Sequence, residues 1–346
     1  MGHHVLRNTG KNTLFHKAII ESGGATARAC YTPSNSMHEQ HFKEFLTLLN
    51  LEDVPESEII GKLRALPFQE IKGASESIFY KYDPSVRWPW QPVIDGPDGI
   101  IPSRPIDRMR SGDWLKIPLL TGFNTNEGAM FVPVGTATSE EFTAFFRTLL
   151  PALTDDDLEA LSKAYLDPAI DPSSKFAEDR MGLGLGIGAQ FRRLEQAYGH
   201  FAYLAPVKQQ LHYSASGGAP VYLYHFAVNG SVKGGADHGN HVSYPTYNDD
   251  VRSSSKTIAT IAGSMHAYWT SFIVTGDPNK VKGSKFKDRP EWPAYEIGSG
   301  RLVVFGEDND ERAGGKNKGT AVKVDKDTWM AKECEYWWAR TEKSEV

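Results

Sequence analysis

Nowhere in these 346 residues does a serine sit in a G-x-S-x-G turn, the strand-to-helix elbow that presents a hydroxyl nucleophile in many acyl-transfer enzymes. Cysteine is nearly missing as well. Cys30 and Cys334 are the only two, enough for one bridge at most, and neither lies in a C-x-x-C context, so the thiols read as structural rather than redox-active or metal-binding. Long apolar runs are absent: IPLL (117–120) and FIV (272–274) are far too short to span a bilayer. The first twenty residues contain no apolar core and no cleavage-like site of a signal peptide. No Lys/Arg stripe with interleaved aromatics occurs, and the net charge is −5, which argues against a nucleic-acid partner. Repeats and low-complexity tracts are also lacking.

What is present is an alternation of short apolar runs and helical patterns. At this length the chain forms one large α/β domain or two smaller ones. The order of elements favours a mostly parallel sheet. KAIIES (17–22), IPLLTGF (117–123), VYLYHFAV (221–228) and RLVVF (301–305) read as strands, the middle two as buried parallel ones. Helices are expected over Asn35–Leu49, with Met37, His41, Phe45 and Leu48 on one face, and over Glu56–Leu66, stopped by Pro67. Capping sequences at Thr138–Glu141 and Thr154–Asp157 open a helical insertion, residues 138–212, between two strands. A helix over Ser255–Thr275 carries Ile258, Ile261, Ala262, Met265, Trp269, Phe272 and Ile273 on its apolar face and stops at Gly276. Residues 307–319 read as a solvated loop and Asp327–Thr341 as a last helix. One domain, residues 1–346, with the inserted helical region is the economical organisation.

Two loop residues carry the chemistry this pattern suggests. Glu127, in NTNEG (124–128), and His238, in GGADHGN (234–240), each follow a buried strand, where α/β folds build their sites. An acid that orients a histidine, which in turn activates a hydroxyl, is the logic of nucleophilic ester and amide hydrolysis. Gly128 and the glycines at 234, 235 and 239 give both loops unusual backbone freedom. The alternatives are two solvated loop side chains, or a metal cluster of Asp237, His238 and His241, which lacks H-E-x-x-H spacing. His38-Glu39-Gln40-His41 misses that motif by one residue and reads as the polar side of a helix.

Longer strings then match a known family in order along nearly the whole chain. LFHKAIIESGG (14–24), PVIDG (92–96), MRSGDWLKIPLLTGFNTNEG (109–128), GADHGN (235–240), HAYWTSFIVTGDPN (266–279) with WPAY (292–295), and the helix bearing Cys334-Glu335-Tyr336-Trp337 resemble the type B carboxylesterase/lipase family, the cholinesterase-like branch of the α/β-hydrolases. The resemblance implies an α/β-hydrolase fold and a serine esterase acting on a small-molecule ester without cofactor or metal. It puts Glu127 in the acid role and His238 in the base role, in the family's order of serine, acid, histidine. It also places Trp88 and Trp90 where cholinesterases put acyl-pocket aromatics. The family's acidic residue three positions after the histidine is here His241. The family's elbow serine falls a few residues before Met1, so the resemblance implies a C-terminal portion that starts just past the nucleophile and is inactive by itself. A non-catalytic, cholinesterase-like protein and a metal-dependent hydrolase are the competing readings.

Overall fold

A computed structural model of the protein describes residues 1–7, 13–27, 29–83 and 86–344. Runs of apolar residues with no polar break cannot face water on either side, and they assemble side by side. β1 (Ala18–Glu21), β2 (Leu119–Asn124) and β3 (Val221–Phe226) pair in parallel, every residue of β2 and β3 being buried. β4 (Arg301–Glu307) continues the parallel series beside β3, and β5 (Thr320–Lys326) returns antiparallel on its far side, giving the order β1-β2-β3-β4-β5.

Alternation along each strand sends side chains to two separate cores. Ile20, Leu119, Phe123, Val221, Leu223 and Val304 face one core, and Leu120, Tyr222, Tyr224, Phe226, Val303 and Phe305 face the other. The helices follow in chain order. α1 (Gly2–Arg7) precedes β1; α2 (Ser36–Leu48), α3 (Glu56–Ala65), α4 (Phe68–Tyr82) and α5 (Pro105–Ser111) separate β1 from β2. Between β2 and β3 come α6 (Ser139–Leu149), α7 (Asp155–Ala164), α8 (Phe191–Gly199), a π-helical turn (His200–Leu204) and α9 (Ala205–Ser216). α10 (Asp249–Arg252) and α11 (Lys256–Thr275) lie between β3 and β4, and α12 (Ala331–Trp338) follows β5. α6 to α9 and α12 cover the first face; α11 covers the second.

The helix starts were encoded locally. Thr138 and Thr154 each form a complete capping box, with Glu141 and Asp157 returning the bond to the cap backbone. Gly276 closes α11 at φ +77°, its N–H on the Phe272 carbonyl. Several expectations need correction. α2 buries His41, Phe45 and Leu46, leaving Leu48 half exposed, because the partner face is set by α4, which packs across it. α4 itself was not foreseen: Pro67 stops α3 by forcing Leu66 into an extended conformation and then serves as the cap of the next helix. Ile273 points to solvent on α11. The last helix is shorter than expected, because 320–326 pairs as β5 and Asp327 is held by Lys208 Nζ at 2.7 Å and the Tyr295 hydroxyl at 3.1 Å. Cys30 and Cys334 are buried and form no disulfide.

Candidate active site

β2 and β3 run in register, Asn124 opposite Phe226, so the loops that follow them leave the same edge of the sheet. There the two loops are stapled to each other. Asn126 N–H donates to the Ala236 carbonyl at 3.0 Å. The Asn126 side chain accepts from Ala236 N at 3.1 Å, and Asn124 Nδ2 donates to the Asp237 carbonyl at 2.5 Å. These bonds fix the residues on either side, Glu127 and His238, at a set separation.

The outcome is a 2.6 Å hydrogen bond between His238 Nδ1 and Glu127 Oε2. Glu127 is buried, its side chain 2% exposed, whereas that of His238 is 32% exposed. A buried carboxylate is tolerated only when its lone pairs are occupied. Here Glu127 Oε1 accepts from Asn124 N–H and from the Ser22 hydroxyl, both at 2.7 Å. With the proton on Nδ1 facing the carboxylate, the lone pair sits on Nε2. That nitrogen has no hydrogen-bond partner among the described residues, on a side chain 32% exposed.

Ser22 is the residue that sequence reasoning missed. Ile20-Glu21 precede it where an elbow would need a glycine, yet it lies at the site and binds the acid rather than the histidine. Its backbone occupies the left-handed region at φ +53°, uncommon for a residue with a side chain and often found near functional sites. The available signal was position: Ser22-Gly23-Gly24 directly follows β1, the neighbour of the acid's strand.

Two aromatic rings flank the imidazole. Tyr203 lies 4.4 Å away, tilted by 32°, and Phe131 lies 5.5 Å away, edge-on. Tyr203 reaches this place from the π-helical turn, where the Ala205 N–H bonds to the His200 carbonyl five residues back. Pro206 has no N–H to give the Ala202 carbonyl, which removes one ordinary α-helical bond at that point.

The glycines act differently from each other. Gly235 and Gly239 adopt φ of +85° and +83°, as the loop reading required. Gly128 and Gly234 instead allow close approach: a Cβ on Gly128 would sit 1.9 Å from the Glu195 carbonyl oxygen, and one on Gly234 would sit 1.7 Å from Asp237 Oδ1.

Behind Glu127 lies a second buried carboxyl. Glu195 Oε1 accepts from Asn126 Nδ2 and Gln196 Nε2, each at 2.9 Å. Burial pushes its pKa up to about 7, against the pull of these bonds and of Arg180 and Arg192. A folded value above the unfolded value of about 4.3 means that stability is complete at low pH and is lost as pH rises toward 7. Glu195→Gln keeps both accepted bonds. It is expected to remove that loss and to be more stable than the parent above pH 7 by on the order of 2–3 kcal/mol, with no difference below about pH 4.5. Urea melts of both proteins from pH 4.5 to 8 read this. His200 and His225, pushed down to about 3 by burial, give a slope of opposite sign in both proteins and cancel in the comparison.

The remaining sequence candidates disperse. Asp237 Oδ2 accepts from the Ser231 hydroxyl at 3.1 Å, and His241 turns to Glu21. His41 is buried against the Tyr82 ring at 4.2 Å, and His38 meets the edge of Tyr31. Among the described residues no three His, Cys, Asp or Glu side chains converge as metal ligands. Trp88 packs edge-on against Phe131 at 5.7 Å and so stands one ring removed from His238. Trp90 packs on Phe45, in the α2–α4 cluster, and makes no ring contact with the pair.

Known proteins share this architecture. The crystal structure of Aspergillus niger EstA superposes with a TM-score of 0.76 at 21% identity, covering 100% of this chain and 62% of that one. The fold is therefore that of an α/β-hydrolase, a mostly parallel central sheet between helices. Secreted lipase 4 of Gibberella zeae is 29% identical over 350 residues, 99% of this chain and 58% of the relative. Mouse pyrethroid hydrolase Ces2a is 27% identical over 85% of this chain and 50% of its own length. The chain thus spans little more than half the length of the curated relatives it matches. Residues 2–324, which hold all five strands except the end of β5 and both loops of the Glu127–His238 pair, match the model of the carboxylesterase family, and the chain belongs to that family.

Proposed function

We propose that this chain carries the acid and base of a serine carboxylic-ester hydrolase. The nucleophilic serine and the backbone donors for the oxyanion are contributed from outside these 346 residues. The observation that carries the reading is the buried Glu127 carboxylate on His238 Nδ1 at 2.6 Å with the other ring nitrogen unengaged. In the reaction, Nε2 takes the serine proton as the hydroxyl attacks the ester carbonyl. It then returns that proton to the leaving alcohol. Water deacylates the enzyme by the same exchange in reverse. Glu127 holds the ring in one tautomer and stabilises the imidazolium each time it forms. Relatives named as a lipase and a hydrolase support an ester as substrate. Trp88, with Phe131, is assigned to flank the acyl group; Trp90, turned toward Phe45, has no part in that assignment.

The test is covalent. A fluorophosphonate ester forms a stable adduct only with an activated serine. The 346-residue chain is expected to remain unlabelled. A complex or longer form that supplies a G-x-S-x-G serine to the pair is expected to be labelled at that serine, and His238→Ala in it abolishes the labelling. Labelling of any serine within residues 1–346, dependent on His238, overturns the placement of the nucleophile.

A further inference from the structure

His241 occupies a costly position. Its side chain is 3% exposed, and among the described residues neither ring nitrogen makes a hydrogen bond. Burying a polar ring in this way is unfavourable unless something compensates it. The nearest formal charge is the Glu21 carboxylate, whose Oε1 lies 3.5 Å from His241 Nε2. That oxygen is already a meeting point. It accepts from the Trp269 indole N–H of α11 at 3.2 Å and from the Tyr224 hydroxyl of β3 at 3.4 Å. The Tyr224 and Phe226 rings lie 5.8 and 6.1 Å from the His241 ring.

The chain connectivity gives this cluster its meaning. Glu21 is the last residue of β1, and the next residue, Ser22, donates to Glu127. His241 lies three residues beyond His238 on the same run of turns. One strand end therefore reaches both partners of the 2.6 Å pair: Ser22 holds the acid directly, and Glu21 faces the turn that bears the histidine.

We propose that Glu21 and His241 are positioning residues, a polar brace whose 3.5 Å contact anchors the His238 turn to the strand end already holding Glu127. The contact joins a histidine side chain 3% exposed to a glutamate 29% exposed, so it is screened less than the same contact in open water and ties the turn to the strand end. The brace rests on the acid–base reading of Glu127 and His238, but its own test does not require turnover.

The readout is the imidazole proton on His238 Nδ1, which a 2.6 Å bond to a carboxylate shifts far downfield in the proton NMR spectrum of the histidine-labelled 346-residue chain. Glu21→Gln keeps an acceptor for Trp269 and Tyr224 and removes only the charge facing His241. His241→Gln removes the other partner. Both are expected to broaden or abolish the resonance through faster exchange with solvent, while the double variant Glu21→His with His241→Glu, which restores the contact with its partners exchanged, brings it back. Trp292→Phe serves as the control: it loses a buried bond to the Leu223 carbonyl and lowers the melting temperature, but leaves the resonance in place. An unchanged resonance in Glu21→Gln and His241→Gln overturns the brace, as does its loss in Trp292→Phe. Glu127→Gln separates the two ideas: if the resonance survives there, the acid–base pair itself is wrong, whatever the brace does.

Discussion

Purified as these 346 residues, the protein is expected to hydrolyse p-nitrophenyl acetate no faster than its own His238→Ala variant. The reason is chemical. In the proposed reading Glu127, bonded to His238 at 2.6 Å, orients the base, but a base accelerates acyl transfer only when a hydroxyl lies within reach of its free nitrogen. The serine closest in role, Ser22, spends its hydroxyl proton on Glu127 at 2.7 Å and lies on the acid's side of the pair. Once a chain segment supplies an elbow serine and oxyanion donors, the same residues become decisive. In that longer protein His238→Ala is expected to lower kcat by about 10⁴-fold or more, and Glu127→Gln by about 10³- to 10⁴-fold with KM little changed, as for triad members in other serine hydrolases. Ser22→Ala leaves one lone pair of a buried carboxylate empty and is expected to have a smaller effect, about tenfold. Turnover by the 346-residue chain that disappears in His238→Ala contradicts the assignment, because it requires a nucleophile among these residues.

Gly128→Ala is expected to lower stability by about 3 kcal/mol or more. The added methyl would meet the Glu195 carbonyl oxygen at 1.9 Å, its carbon at 2.8 Å and the Gly199 N at 2.9 Å. All three are backbone atoms of a helix packed on the loop, so no side chain can swing aside to make room. Relief requires α8 and the acid loop to separate, which also pulls Glu127 away from His238. For a domain of this size that loss corresponds to a fall in melting temperature of roughly 4 °C. The contrast is Gly61→Ala, in α3, where an added Cβ meets nothing within 4 Å. There the gain in helix propensity is expected to raise stability by about 0.5–1 kcal/mol. Calorimetry of the two variants beside the parent decides the matter, and a Gly128→Ala protein that melts with the parent rules out the close packing.

How much of this could be read in advance depends on the range of the forces involved. Strands β2 and β3 were legible because burial on both faces leaves only one composition, an unbroken apolar run. Thr138, Thr154 and Gly276 were legible because a cap is completed within four residues of itself. Strand β5 escaped notice, because an edge strand with intermediate exposure along most of its length carries no strong periodicity. Helix α4 escaped because Pro67 was taken only as a stop.

At the site the division is sharper. The sequence by itself determined that Glu127 and His238 follow buried strands, that glycines free the histidine loop, and, through its longer strings, which family the chain resembles. It could not place Ser22 on the acid, turn His241 toward Glu21, or bring Tyr203 over the imidazole. Those contacts join residues far apart in the chain. They exist because parallel pairing carries β1, β2 and β3 to one edge of the sheet and because a π-helical turn ahead of Pro206 shifts the helix register beside it. Local composition fixes which segments fold, whereas which side chains then meet is a property of the assembled sheet.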